Sequence, residues 1–448
     1  MTTSPTIGQT IEQVRTALRD YIEATYHISH PQIVEQRREL LDRPGVIAQT
    51  PYLESTPRYI AGERFETLDL PPAALELFDL MARPTTDGGL GLLHNPPYAH
   101  QAQALTEAVR DERSLVVTTG TGSGKTESFL LPIVAKLAVE ARDRPAAFAE
   151  PAVRALVLYP MNALVNDQLG RLRLLLGNDG VAGQFTTWAK RPARFGRYTG
   201  RTLYPGVRTR KKDSTRLRPI DKFYIDLLDR ADGNDAAAER ARDLVQNLKA
   251  RGKWPAKADL RAWYGQSGSH WQRGGQFVRA VTQPGDAELF TRHEALAAPP
   301  DVLVTNYSML EYMLMRPLER PIFDATRQWL AQNPDERLLL VIDEAHLYRG
   351  AAGAEVALLI RRLQARLELP HERLQVICTS ASFSDRDAAC EFAAALAGKT
   401  RDAFVPIGGQ LDLRSASGPG EDDERTLLAD IDLNELYANE ERRRNAIA

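Results

Sequence analysis

SLVVTTGTGSGKTES (114–128) is the stretch whose reading decides the fold. Leu115, Val116 and Val117 read as a buried strand, and FLLPIVAKLAVEA from Phe129 reads as a helix. Between them lies Thr119-Gly120-Thr121-Gly122-Ser123-Gly124-Lys125-Thr126, a glycine-rich loop closed by a Lys-Thr pair. Glycines let backbone N–H groups turn inward, and a helix N-terminus adds partial positive charge. A strand before and a helix after is the setting in which such a loop cradles phosphates. Thr121, Gly122, Ser123 and Gly124 are then the cradle, Lys125 reaches the outer phosphates, and the Thr126 hydroxyl ligates magnesium. The strict form of this pattern begins with Gly, where this chain has Thr119.

Outward from the loop, short apolar runs alternate with helical stretches. ALVLY (155–159), DVLVT (301–305), LLLVI (338–342) and QVICTS (375–380) are each followed by a helix-like segment. Strands apolar throughout, each followed by a helix, predict an α/β fold: a parallel sheet with helices on both faces. LLLVI ends in Asp343 and Glu344, at the carboxyl edge where open α/β sheets bind ligands. Asp343 suits a magnesium shell and Glu344 suits the polarising of an attacking water. An acidic pair here is otherwise an ordinary cap for the next helix.

The 448 residues suggest about two or three domains. Hydrophobic residues at 43% and charged residues at 26% give ample material for a core. The formal net charge of -2 means that any nucleic-acid surface is a local patch. Cys378 and Cys390 form no CxxC pair and read as buried reduced thiols of a cytoplasmic protein. MTTSPTIGQT lacks a signal-peptide core, and no run approaches the ~20 apolar residues of a membrane span. Residues 1–95 read as a helical N-terminal extension and linker, with helices at IEQVRTALRDYIEATY and PQIVEQRRELL. Residues 96–168 and 301–400 read as the nucleotide-binding lobe. Residues 169–300 read as an inserted subdomain, basic and tryptophan-rich. Residues 401–448 read as a polar helical tail.

Taken in order, GTGSGKT, DEAH and the motifs around them resemble the first RecA-like motor lobe of a superfamily-2 DEAD/DEAH-box helicase, a P-loop NTPase. PPYAHQAQAL (96–105) looks like the adenine-reading glutamine motif, with Gln101 as reader. LVLYPMNALVNDQ (156–168) and DVLVTNYSMLEYML (301–314) look like motifs Ia and Ib. The resemblance implies ATP and Mg2+ as cofactors, and strand contacts by Pro160, Asn162, Thr305 and Asn306. For Thr305 and Asn306 a plain helix N-cap is the alternative. Ser380-Ala381-Ser382 stands where the family has Ser-Ala-Thr. With His346 it would couple hydrolysis to strand binding. Within the superfamily, DEAHLYRGAAGAEVALLIRRL resembles Lhr-like and MrfA-like DNA helicases, and PMNALVNDQ with TNYSMLEYML resembles DISARM-type helicases of phage-defence islands. That implies single- or double-stranded DNA as substrate, other defence or repair subunits as partners, and no membrane.

Such motors close two lobes around ATP, and no QxxGRxGR-like segment follows residue 385. The expectation is one lobe that needs a second, in cis or in trans. A nucleotide-gated scaffold without turnover is the alternative, although it would not need Lys125, Thr126, Asp343 and Glu344 together.

Residues 190–222 carry twelve basic side chains against Asp213 and Asp221. Arg208, Arg210, Lys211 and Lys212 are the densest part, and Phe195, Tyr198 and Tyr204 interleave. Cations for phosphates and rings for bases would make a single-strand track. A solvated loop, or a contact for an acidic partner, is the other reading.

Overall fold

The computed structural model describes residues 6–43, 45–47, 58–84, 91–120, 122–265, 270–381, 383, 385–412, 426, 430 and 431. The chain divides into two units, residues 1–58 with 412–448 and residues 59–411. In the first, helices Ile7–Thr25 and Pro31–Asp42 are joined by ion pairs Arg38–Glu23 (2.8 Å) and Arg19–Asp42 (3.2 Å). The rest of the tail reading, beyond residue 412, falls almost wholly outside the described residues.

Among its described residues the second unit carries ten strands: β1 (Ser114–Thr118), β2 (Ala155–Tyr159), β3 (Phe195–Tyr198), β4 (Gln272–Arg273), β5 (Gln276–Phe277), β6 (Glu288–Leu289), β7 (Val302–Asn306), β8 (Leu338–Ile342), β9 (Leu374–Ser380) and β10 (Phe404–Gly408). Eight form one sheet in the order β10-β1-β9-β8-β2-β7-β3-β6, and every pairing in it is parallel. This is the RecA-like α/β fold that the sequence pattern predicts. Side chains alternate across the sheet, so each strand feeds two cores. Leu115, Val117, Val157 and Tyr159 enter one core with helix Glu127–Asp143. Val116, Leu156, Leu158 and Cys378 enter the other, with helices Arg320–Gln332, Ala351–Leu367 and Arg386–Ala397. Among the described residues no helix is long and apolar enough to cross a membrane.

The structure draws its boundaries differently from the sequence in three places. β3 and β6 lie within 169–300 yet extend the main sheet, and helix Asp179–Ala189 packs Val181 and Phe185 into the first core. Only a part of the insert has its own core, built on Leu217, Ile220, Trp254, Leu260, Trp263 and Trp271. β10 lies within 401–448 and pairs with β1. Its FVPIG holds a proline, tolerated because β10 is the sheet edge. Helix Pro72–Ala82, in the segment read as linker, buries Leu77, Phe78 and Met81. The three strands are too short, or too interrupted by Gly, Arg and Pro, to show as apolar runs, whereas PAALELFDLMA (72–82) is an apolar helical run that the linker reading passed over.

Candidate active site

The carboxyl ends of β1, β9 and β8 lie side by side, and their loops meet there. Lys125 and Glu344 are 219 residues apart, yet Nζ lies 3.3 Å from Oε1, with Lys125 nearly buried. β9 runs between the two loops and binds to both sides. Its Thr379 hydroxyl donates to Asp343 Oδ1, and its Ser380 carbonyl accepts from the Thr119 N–H at 3.2 Å. Ser380 Oγ lies 3.2 Å from His346 Nδ1, which lies 3.3 Å from Glu344 Oε2. Loop, acidic pair and Ser-Ala motif are therefore one connected set of side chains.

Glu344 has φ +51 and ψ +44, a left-handed backbone that a non-glycine residue adopts only when its surroundings hold it there. Its N–H donates to Asp343 Oδ1 at 3.0 Å, which fixes both carboxylates relative to each other. Burial pushes the Asp343 carboxyl above its ordinary range, while the Thr379 hydrogen bond opposes the shift. Thr126 opens helix Glu127–Asp143, but its hydroxyl makes no cap bond, although threonine is a favoured cap. The Thr126 hydroxyl and the Asp343 carboxylate are hard oxygen donors, the set that suits magnesium.

The loop itself is shaped by its glycines. Gly122 (φ +75) and Gly124 (φ +72) take conformations that L side chains avoid. A Cβ on Gly124 would lie 2.2 Å from Gln101 Nε2. The Gln101 amide donates to the Gly124 carbonyl at 3.0 Å and accepts from the Tyr98 N–H at 2.9 Å. It is buried against the loop it was expected to serve only through a base. Thr119, the departure from the strict motif, turns its hydroxyl to Ser123 Oγ at 2.6 Å and so ties the two ends of the loop. Thr121 and Ser382 lie outside the described residues.

Sequence reasoning missed Thr379, His100 and Tyr59. His100 Nε2 lies 3.0 Å from the Ser123 carbonyl, and burial lowers its pKa. Tyr59 packs on Tyr98 and His100 with centroids 5.6 and 5.3 Å away, and its hydroxyl borders Gly120. Two hydroxyl residues closing the strand that runs through VIC were the available signal for Thr379; Tyr59, in the supposed linker, gave none.

The motif Ia and Ib residues are brought together at the ends of β2 and β7. Asn306 Nδ2 donates to Asn162 Oδ1 at 2.8 Å, and Asn306 Oδ1 caps its helix through the Met309 N–H. Thr305 is fully buried with its hydroxyl on the Tyr198 carbonyl. That bond engages the Thr305 hydroxyl proton inside the sheet. Pro160 and Asn162 remain partly exposed at the edge.

The basic stretch 190–222 keeps most of its cations at the surface but buries the rings that its composition offered to bases. Phe195 and Tyr198 are in the sheet cores, and Tyr204 is buried with its hydroxyl on Asp213. None of the three rings is open to a base. Arg208 pairs with buried Asp213 at 3.0 Å and lies 4.1 Å from the Phe277 ring centre, so it holds the insert together. Arg191 pairs with buried Asp301 at 2.7 Å. Arg210, Lys211 and Lys212 stay exposed. Basic runs mix surface and structural cations, and only the fold separates them.

A glycine loop and an acidic pair joined at the carboxyl edge of a parallel sheet define a phosphate-loop lobe, and this chain belongs to the DEAD/DEAH box helicase family. The family's sequence model matches residues 98–200 and 240–389, more than half of the chain. More particularly, it is similar to Druantia protein DruE of Escherichia coli (strain UMEA 4076-1), 45% identical over 446 residues, which cover 96% of this chain and 23% of that protein. It is also 33% identical over 108 residues to an uncharacterized ATP-dependent helicase, MJ1574, of Methanocaldococcus jannaschii, covering 24% of this chain and 14% of that one. The chain thus spans less than a quarter of the length of these curated relatives. Among solved structures, MrfA bound to DNA aligns with 18% identity and a TM-score of 0.40, over 84% of this chain and 34% of that one. Mycobacterium smegmatis Lhr bound to single-stranded DNA and AMP-PNP aligns with 19% identity and a TM-score of 0.40, over 77% and 28%.

Proposed function

We propose that the chain is the ATP-binding half of an ATP-dependent DNA helicase or translocase, acting in phage defence or repair, with a second RecA-like lobe needed for full turnover. The observation that carries this is the Lys125–Glu344 contact, because it joins the phosphate loop to the acidic pair. Family membership supports ATP as the nucleotide. The resemblance of its motifs to DNA-helicase subfamilies supports DNA.

Each residue has a role that its geometry permits. The loop N–H groups and Lys125 would hold phosphate oxygens, an electrostatic task that needs no bond-making. Thr126 and Asp343 would hold Mg2+, which when bound spreads and neutralises phosphate charge. Glu344, held in place by its backbone and by Lys125, would orient a water and take up its proton. Thr379 fixes the Asp343 carboxylate, and Ser380 with His346 links that acidic corner to β9.

The test is steady-state ATPase of the chain, alone and with the second lobe supplied in cis or in trans, with and without single-stranded DNA. Slow turnover alone and DNA-stimulated turnover with the lobe are expected, since an arginine finger is worth ~10³–10⁵ in rate. Several turnovers per second from the chain alone would overturn the one-lobe reading. Absence of ATP binding would overturn the whole assignment.

A further inference from the structure

The insert and the main sheet enclose a cleft of about 630 Å³, separate from the phosphate loop. One wall is helix Asn162–Leu175, a second is Arg197 of β3, and a third is the turn Arg251–Lys253 beside Tyr224 and Phe290. The turn is fixed on the helix by direct backbone contact. A Cβ on Gly252 would lie 2.2 Å from the Gly170 carbonyl oxygen, and Gly252 also has φ +63. Arg173 reinforces this, donating to the Gly252 carbonyl at 3.2 Å and forking onto both oxygens of buried Glu288 at 2.7 Å. The cleft is therefore built by the fold rather than left by a loose loop.

Its charges divide into spent and unspent. Arg173 is neutralised by Glu288, and Arg171 faces Glu127 and Asp167. Arg197 donates to the Asn166 amide oxygen and feels Glu288 at longer range, and Arg251 and Lys253 are exposed; none of these three has an ion pair within 4 Å among the described residues. Asp167 is the one acid among the described lining residues, and Arg171 already engages it. Three cations without a contact ion pair at one cleft, one of them partly removed from water, suit an anionic ligand.

We infer that this cleft holds the sugar-phosphate backbone of a nucleic-acid strand, with Arg197, Arg251 and Lys253 as its phosphate contacts. The volume exceeds what one phosphate fills, and the cations are spread over three elements rather than gathered at a point. Position agrees. Asn166 lies one helical turn, ~6 Å, beyond Asn162, which meets Asn306 at the sheet edge. A strand crossing that edge would run into the cleft. Contacts of this kind carry no sequence information, so the site is indifferent to base order. The inference rests on the reading of the chain as DNA-binding and replaces the exposed 210–212 segment as the main contact.

The experiment is fluorescence anisotropy of a labelled, mixed-sequence single-stranded oligodeoxynucleotide with the full chain over a range of salt. Arg197→Gln/Arg251→Gln/Lys253→Gln should bind about tenfold or more weakly. It should also flatten the slope of log affinity against log salt by about 2, at ~0.7 per single-strand contact. Arg210→Gln/Lys211→Gln/Lys212→Gln should change both far less. Arg197 is partly buried, so Arg251→Glu/Lys253→Glu, confined to exposed positions, is the second variant; binding of a fluorescent ATP analogue reports that each is folded. If the parent binds the oligonucleotide and both cleft variants match its affinity and slope, the cleft is overturned while the DNA-binding reading stands. If the parent binds no oligonucleotide, both fall. If the variants lose only the calorimetric signal of inorganic phosphate and keep parental DNA binding, the site takes a free anion and the strand assignment is overturned.

Discussion

The phosphate loop and the basic stretch 190–222 are the two most conspicuous segments of the sequence, and the fold treats them in opposite ways. The loop's partners come from far along the chain: Glu344 reaches Lys125, Thr379 reaches Asp343 and Gln101 reaches Gly124. The basic stretch is contiguous in sequence and disperses in space. Arg191 goes to Asp301, Arg208 to Asp213 and Phe195 and Tyr198 to the sheet, while eight of the twelve cations stay at the surface without the rings that interleave with them in sequence. A site signalled by separate motifs in fixed order survives folding, because each motif sits at the end of its own strand. A site signalled by local composition need not, because burial selects among neighbouring residues.

The contrast is broken most sharply at Glu344. Glu344→Gln should lower ATP turnover by about 10²–10⁴-fold, measured with DNA and the second lobe present, while ATP affinity stays near that of the parent. The amide keeps the shape but cannot take a proton, and Asp343 remains. Lys125→Ala should instead weaken ATP binding by about 1.5–3 kcal/mol, on the order of 10- to 100-fold, by calorimetric titration. Equal losses of binding in the two variants would merge roles that the geometry separates.

Next in size is the core of the insert. Asp213 is fully buried and receives both Arg208 and the Tyr204 hydroxyl. Asp213→Ala strands that cation and should cost about 3–5 kcal/mol in the insert. The readout is the urea midpoint followed by tryptophan fluorescence, since Trp254, Trp263 and Trp271 lie in that core. Arg210→Gln/Lys211→Gln/Lys212→Gln, all exposed, should leave the midpoint within about 0.5 kcal/mol of the parent. If the two variants behaved alike, the division of the basic stretch into structural and surface cations would fail.

How much was legible follows the same line. The parallel sheet, its nucleotide edge and Lys125, Thr126, Asp343 and Glu344 could be read because apolar runs and glycine-lysine spacing are local signals with few other causes. β3, β6 and β10 could not, since a strand of two residues, or one of four or five broken by Gly, Arg or Pro, carries no periodicity. The internal partner of the Thr305 hydroxyl, the Tyr198 carbonyl 107 residues away, could not be read either. Gln101 was legible as a functional residue, but not its two hydrogen bonds that hold the loop. Pairing across such distances is decided by packing, and one sequence alone does not display it.

The smallest expected effect sharpens the comparison through pH. His293 sits in the insert, edge-on to Tyr204 with centroids 4.7 Å apart, and its Nε2 has no partner. Burial, with Arg208, Lys212 and Arg292 nearby, lowers its pKa to about 4, and Asp213 only partly opposes this. An unfolded histidine titrates near 6.5, so between pH 6.5 and 4 the unfolded chain binds the proton that the folded insert refuses. Stability from this group is therefore full above pH 6.5 and lost as pH falls toward 4. Between pH 7 and 5 ordinary carboxylates stay mostly ionised, so the window isolates histidine. The urea midpoint of the insert should drop from pH 7 to pH 5, and His293→Gln should shrink that drop while leaving ATP affinity alone. An undiminished drop in the variant would mean that another of the eight histidines governs the acid sensitivity and that the cations around His293 are screened by water.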